Sequence, residues 1–204
     1  MKAFYGLPEV ERLPGRALAI GNFDGVHRGH QAIIEKLNTE AARRCMPSCV
    51  LTFEPHPRDY FAQLTGRAAG AVKRITSSEE KLAALARYGV DQVLVLPFDR
   101  WLASCSSQGF IDAVLVRGLS AAYVIVGDDF QFGAGRTGNF DTLAAAGHRT
   151  GFDAESMPAF PAQGARISST LIRLALARGD VATAEQLLGR ELSQGRKPRA
   201  QLFG

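Results

Sequence analysis

The sequence predicts an α/β fold, a Rossmann-like doubly wound parallel sheet with helices on both faces. Two observations carry that expectation. The apolar runs "ALAIG" (17–21), "SCVLTFEP" (48–55), "DQVLVLPF" (91–98) and "AAYVIVGDD" (121–129) are short and nearly continuous. They lack the in–out alternation of a half-exposed strand, so they read as strands covered on both sides. Between them stand segments with apolar residues at helical spacing, the alternation from which βαβ units are built. A chain of 204 residues with 46% apolar content is sized for one domain with a substantial core.

Each element has its own local justification. After the first strand, "HQAIIEKLNTEAARR" (30–44) places Ile33, Ile34, Leu37 and Ala41 on one helical face. The second strand is followed by a long stretch, 56–76, with no clear element, the kind of loop that forms a lid or binding loop. "SSEEKLAALARYG" (77–89) opens with Ser77 and Glu80 at capping-box spacing and stops at Gly89. "SSQGFIDAVLVRG" (106–118) is a helix weakened by Gly109, "DTLAAAGHR" (141–149) a short helix and "DAESMPAF" (153–160) a weaker strand. Two helices close the pattern, "SSTLIRLALARG" (168–179) and "VATAEQLLG" (181–189), the second capped by Asp180. Residues 1–190 are thus assigned to one domain and 191–204 to a polar, basic, loose tail.

Composition narrows the function classes. Against 20 acidic residues stand 24 Lys and Arg, a net charge of +4, which suits an anion handler but not a nucleic-acid binder. Cys45, Cys49 and Cys105 are odd in number and form no CxxC pair, so free thiols in a reducing cytosol are expected. No signal-peptide apolar region and no membrane-spanning run is present, and a soluble, cytoplasmic protein is expected.

In an open parallel sheet, ligands bind beyond the carboxyl ends of the strands. Three unusual stretches follow strands directly: "GNFDGVHRGH" (21–30), "FEPHP" (53–57) and "GDDFQFGAGRTG" (127–138). A fourth, "ISST" (167–170), opens a helix, so all four are expected on one rim. Gly21 and Gly25 permit a tight turn, and Gly29 leaves room between His27 and His30. A helix starting near His30 would present free amides and its positive dipole end, a site for phosphate. The histidine pair also admits zinc, with His56 as a third ligand, but the spacing is not HExxH and no fourth ligand is evident. Packing alone is a further reading for two histidines beside glycine. In "RISSTLIR", Ser168 or Ser169 can cap the helix, and Arg173 shares a face with Ser169 and Thr170, which makes a second anion site. Two anion sites suggest a nucleoside triphosphate. Phe53, Phe61, Phe130 and Phe132 suggest a flat ring as its companion, with core packing as the competing role. Asp128 and Asp129 can bind Mg²⁺ or substrate, or simply form the turn.

In this order "GNFDGVHRGH", "FEPHP", "RITS", "VLPFD", "VGDDFQFG" and "ISSTLIR" resemble the FMN adenylyltransferase (FAD synthetase) domain of bacterial bifunctional riboflavin kinase/FAD synthetases. The likeness runs from about residue 15 to Gly189. It implies adenylyl transfer from ATP to FMN, giving FAD and pyrophosphate, with Mg²⁺ and with ATP and FMN as the small-molecule partners. It implies catalytic roles for His27, His30 and Arg173 and ATP contacts at Gly21, Phe23, Asp24, Gly29, Ser168, Ser169 and Thr170. Flavin contacts are implied at Phe53, Pro55, Asp128, Asp129, Phe130 and Phe132. Mg²⁺ would be held mainly by phosphates, with Asp129 the candidate protein carboxylate. The sequence has no room for the kinase domain of that family, so it is expected to be either a lone adenylyltransferase or a piece of a longer protein, and kinase activity is not carried over. Two other readings stay open: the same reaction on another phosphate-bearing acceptor, such as a nicotinamide or pantetheine phosphate, and a non-catalytic flavin or nucleotide binder.

Overall fold

A computed structural model describes residues 1–7, 15–66, 74–158, 161–162 and 165–192. Six parallel strands form one sheet: β1 (Lys2–Tyr5), β2 (Arg16–Ile20), β3 (Ser48–Glu54), β4 (Gln92–Pro97), β5 (Ala121–Gly127) and β6 (Asp153–Met157). Their spatial order is β1-β4-β3-β2-β5-β6. From β2 the chain winds outward one way through β3 and β4 and returns to place β5 on the other side of β2. The topological switch point therefore lies between β2 and β5, where such sheets bind ligands.

The helices are α1 (Arg28–Arg43), α2 (Pro57–Leu64), α3 (Ser78–Arg87), α4 (Arg100–Ser104), α5 (Ser107–Phe110), α6 (Phe140–Thr150), α7 (Ser169–Ala177) and α8 (Val181–Leu188). Alternate strand residues supply two cores. Ala17, Ala19, Val50, Val93, Val95 and Ile125 face α1 and α3 through Ile34, Leu37, Ala84 and Leu85. Leu18, Ile20, Leu51, Leu94, Leu96, Val124 and Val126 face Leu102, Phe110, Ile111, Leu115 and Leu143. The doubly wound expectation is therefore met, with apolar residues on both faces of every central strand. A third, smaller cluster joins Ile75 to Ile172, Ala175, Ala184, Leu188 and Leu192, seating the α7–α8 hairpin on the edge of the domain.

Several elements depart from the sequence reading, among them α4, a short helix capped by Asp99 where none was expected. β1, not expected, adds to the sheet edge by pairing with β4 from Lys2 against Gln92 to Tyr5 against Val95. The stretch 56–76 is not all loop: His56 caps α2 with its Nδ1 accepting from the Arg58 amide, and Pro57 stands at the first helical position. The helix expected over 106–118 is α-helical only in Ser107–Phe110 and then widens to a π-helix over Ile111–Gly118. Elsewhere the local signals held. The Ser77–Glu80 capping box is complete in both directions, and Asp180 caps α8 through the Thr183 amide. Helix α1 begins two residues before the expected start, because His27 is its cap. Of the weaker strand over 153–160, residues 153–157 are strand, whereas 159–160 lie outside the described residues, as does most of the 191–204 tail.

Candidate active site

The stretch after β2 is a turn held in an unfavourable backbone conformation. Phe23, Gly25 and Val26 have φ of +49°, +84° and +42°. A Cβ on Gly25 would lie 2.8 Å from the Ile75 Cγ2 and 3.1 Å from the Leu188 Cδ2, so glycine is required there for space as well as for φ. Positive φ at two non-glycine residues costs of order 1–3 kcal/mol each and persists only where the surroundings hold it. Here the carbonyl of Asn22 accepts from the Thr52 hydroxyl at 3.1 Å, and that of Asp24 from the Ser169 hydroxyl at 3.1 Å. The Gly25 carbonyl accepts from Arg190 at 3.1 Å, and the Val26 carbonyl from the Gln31 amide at 2.8 Å. With these carbonyls engaged by the body of the protein, the turn delivers the chain into α1, whose first-turn amides at Arg28 and Gly29 have no partner within the helix.

Asp24, implied as an ATP contact by its motif, is the hub of this arrangement. Its buried carboxylate accepts from the amides of Ile75 and Thr76, from the Thr76 hydroxyl, and from the Arg173 guanidinium at 2.7 Å. The motifs "GNFDG", "RITS" and "ISSTLIR" thus meet on one side chain. Arg173, expected on a ligand phosphate alone, is half of a buried ion pair here, while its Nε is enclosed with no partner. Ser168 caps α7 through the Leu171 amide, Ser169 holds the Asp24 carbonyl, and Thr170 is exposed on the first turn.

The two histidines stack face to face, ring centroids 3.6 Å apart and planes 16° from parallel. His27 Nδ1 accepts from the His30 amide, so the proton of neutral His27 belongs on Nε2. Burial, then the neighbouring His27 and then Lys81, push the His30 pKa well below the ordinary histidine value, so its ring is neutral at pH 7. Its Nδ1 is enclosed without a partner. Phe23, implied as an ATP contact, is a core side chain 1% exposed, and its ring supports His30 from 4.9 Å. Gly21 and Gly29 are partly exposed at the two ends of the turn.

Behind the turn lies a charged layer that the sequence reading missed. Arg74 pairs with both oxygens of Glu54 at 2.7 Å and with Asp59 at 3.1 Å. Lys81, 6% exposed, donates to Thr52 Oγ1 at 3.1 Å and lies 4.0 Å from Glu54. Burial pushes its pKa down. Asn22, Asp24, Phe53, His56, Arg74, Thr76 and Lys81 line one small cavity. The signal for Lys81 was available: it shares a helical face with the buried Ala84 and Leu85.

The aromatic side of the rim lies on the other face of the sheet. Phe53 packs edge-on against Phe98 at 6.1 Å, and Tyr60 and Phe61 join the same group. Phe130 stacks on Phe132 at 5.3 Å. Phe132 is 8% exposed and packs on Phe110, so for this residue the core role is observed. Phe53 and Phe130 are partly buried, and Phe61 is 45% exposed. Pro55 follows a cis peptide after Glu54. Asp128 and Asp129 occupy a turn closed by the Phe130 amide donating to the Gly127 carbonyl. Among the described residues no three His, Cys, Asp or Glu side chains are grouped to hold a metal ion, and no helix is long and apolar enough to cross a membrane. The arrangement can bind a polyanion on one face of the sheet and an aromatic ring system on the other.

Comparison with known proteins adds the family. A model of the FAD synthetase family matches residues 10–171. Bifunctional riboflavin kinase/FMN adenylyltransferases from Escherichia coli (strain K12) and Haemophilus influenzae are 47% and 44% identical over 93% of this chain. The chain spans 59% and 60% of the length of those two relatives. A solved structure described as a macrolide-efflux protein from Streptococcus pneumoniae superposes with a TM-score of 0.76 at 25% identity, covering 93% of this chain and 61% of that one.

Proposed function

The chain belongs to the FAD synthetase family, and from that premise we propose that it transfers the adenylyl group of ATP to FMN, giving FAD and pyrophosphate. The observation that carries this reading is the convergence on Asp24 of three separate motifs, which sets a helix N-terminus, a histidine pair and Arg173 around one turn. Attack by the FMN phosphate on the α-phosphorus of ATP forms one P–O bond and breaks the bond to pyrophosphate. The attacking phosphate is largely ionised at pH 7, with a second pKa of about 6, so no general base is required. The protein's work is alignment and the stabilisation of charge on phosphate oxygens.

The residues divide that work. The free amides of Arg28 and Gly29 and the helix dipole attract the triphosphate. His30, neutral at pH 7, acts as a hydrogen-bond donor rather than as an acid, with His27 stacked against it as the second donor. Arg173 shares its guanidinium between Asp24 and the nucleotide. The aromatic group of Phe53, Phe61 and Phe130 receives the flavin ring on the other face of the rim. Asp128 and Asp129 line its edge. The carboxylates nearest the turn are committed to arginines, which fits Mg²⁺ carried mainly by phosphate and water, with Asp129 the candidate protein carboxylate. Bound Mg²⁺ would neutralise triphosphate oxygen charge.

The test is direct. Purified protein incubated with ATP, FMN and Mg²⁺ should yield FAD and pyrophosphate on product chromatography. Absence of FAD, or faster turnover with a non-flavin phosphate acceptor, would overturn the assignment.

A further inference from the structure

The family match ends at residue 171, yet part of what holds the phosphate turn comes from beyond it. Arg190, one residue past the left-handed Gly189 that ends α8, donates to the Gly25 carbonyl across 165 residues of sequence. Its Nε is enclosed without a partner. Beside it, the Gln31 side-chain amide donates at once to the Val26 carbonyl at 2.8 Å and to the Leu188 carbonyl at 2.7 Å, tying the turn to the last residue of α8. Leu188, together with Ile75, fills the space that a Cβ on Gly25 would need. The turn is thus gripped from outside by the end of the helical hairpin, at its two residues with φ of +84° and +42°.

We propose that Arg190 is a positioning residue for nucleotide binding: by fixing the Gly25 carbonyl against the α8 terminus, it sets the turn that carries His27 and the first amides of α1. The inference rests on reading that turn as the ATP phosphate site. A guanidinium whose only task was to stabilise the hairpin would have no need to end on this carbonyl. A turn with three positive φ values relaxes when one of its restraints is removed, and relaxation swings the α1 amides out of register with a phosphate. Phe130 and Phe132, on the flavin side of the proposed site, pack in the other sheet core and should sense the change far less.

The experiment measures MgATP affinity by calorimetry without FMN, and FMN affinity separately, in the full chain. Arg190→Met, which keeps the apolar stem and removes every donor, should weaken MgATP binding about tenfold, the scale of one hydrogen bond to a charged group. FMN affinity should stay within about twofold. Arg190→Lys should recover part of the loss. Arg178→Met removes an exposed arginine of the same hairpin and should leave MgATP affinity unchanged, which separates position from net charge. Gln31→Leu should also weaken MgATP binding, and the double variant should lose less than the product of the two effects, because both hold one turn. That second variant keeps the test open if Arg190→Met fails to fold. Unchanged MgATP affinity in folded Arg190→Met and Gln31→Leu overturns the inference. So does a parallel loss of ATP affinity, FMN affinity and melting temperature, which marks a purely structural contact. A wild-type chain that binds FMN but no MgATP overturns the phosphate reading itself, and the inference with it.

Discussion

Asp24 and Arg173 lie 2.7 Å apart with side chains 6% and 16% exposed, so each substitution there has two effects. Arg173→Ala should raise the KM for ATP at least as much as it lowers kcat. It should also cost roughly 3 kcal/mol of stability, the low end for breaking a buried pair, since three other donors still face Asp24. A thermal melt and steady-state kinetics read both. Arg173→Lys should restore only part of each, because an ammonium cannot serve Asp24 and a phosphate with a planar fork. His30→Ala differs in kind: a fall in kcat of roughly 10²-fold with little change in melting temperature. If the folded variant kept normal turnover, the stacked histidines would be a packing feature.

His56 makes a prediction about pH. Burial, then the Arg173 charge, depress its pKa to about 4. The folded chain therefore keeps His56 neutral in a range where the unfolded chain, near the ordinary 6.5, takes a proton. Its stabilisation is complete above pH 6.5 and is lost as pH falls toward 4, a total of about 3 kcal/mol. Protonation of Nδ1 would also remove the cap of α2. Urea midpoints measured from pH 7 to 4 should fall steeply. In His56→Asn, which can still cap but does not titrate, the decline should be shallower. An identical decline would assign the effect to other groups, such as His30.

At the scale of elements, the turn from Gly21 to His27 is a single rigid part. Gly25→Ala brings a Cβ against Ile75 and Leu188 at a φ of +84°. It should destabilise by about 2–4 kcal/mol, combining overpacking with left-handed strain. Loss of MgATP binding should exceed loss of FMN binding. Binding unchanged in Gly25→Ala would mean that the turn adapts freely. The central strands, the Ser77–Glu80 capping box and the four rim stretches were legible in the sequence because each depends on neighbours within a few residues. What escaped depends on residues far away. β1 has only "KAFY", too short to show a period before its pairing with β4 is known. "PRDYFAQL" reads as loop until His56 is seen to cap it. Lys81 and Arg190 carried no signal of their contacts, because Thr52 and Gly25 lie 29 and 165 residues away. Phe23 and Phe132, implied as ligand contacts by the resemblance, are 1% and 8% exposed, and a sequence does not show which way a ring faces.

At the scale of the molecule, the two sheet cores and the α7–α8 cluster are distinct bodies of apolar contact. The smaller one joins the rest through Ile75 and the polar grips on Asp24, Gly25 and Val26. Local opening should follow that division. In hydrogen exchange, amides of α7 and α8 should exchange faster than those of β2, β3 and β5. MgATP should slow exchange in α7, α8 and the turn together, since it binds the state in which they are joined. Protection of α8 equal to that of β2 without nucleotide would contradict this hierarchy.

The sheet order also has a consequence for biosynthesis. β2 stands at the centre of the sheet, yet its partner β5 is made about a hundred residues later, with Ala19 pairing Ile125. The grip on Gly25 must wait for Arg190, which follows Gly25 by 165 residues. At ribosomal rates of about 5–20 residues per second, the glycine turn is exposed and unfinished for roughly 8–33 seconds after it is translated. A nascent chain halted before residue 190 should hold most of its sheet and still fail to retain ATP.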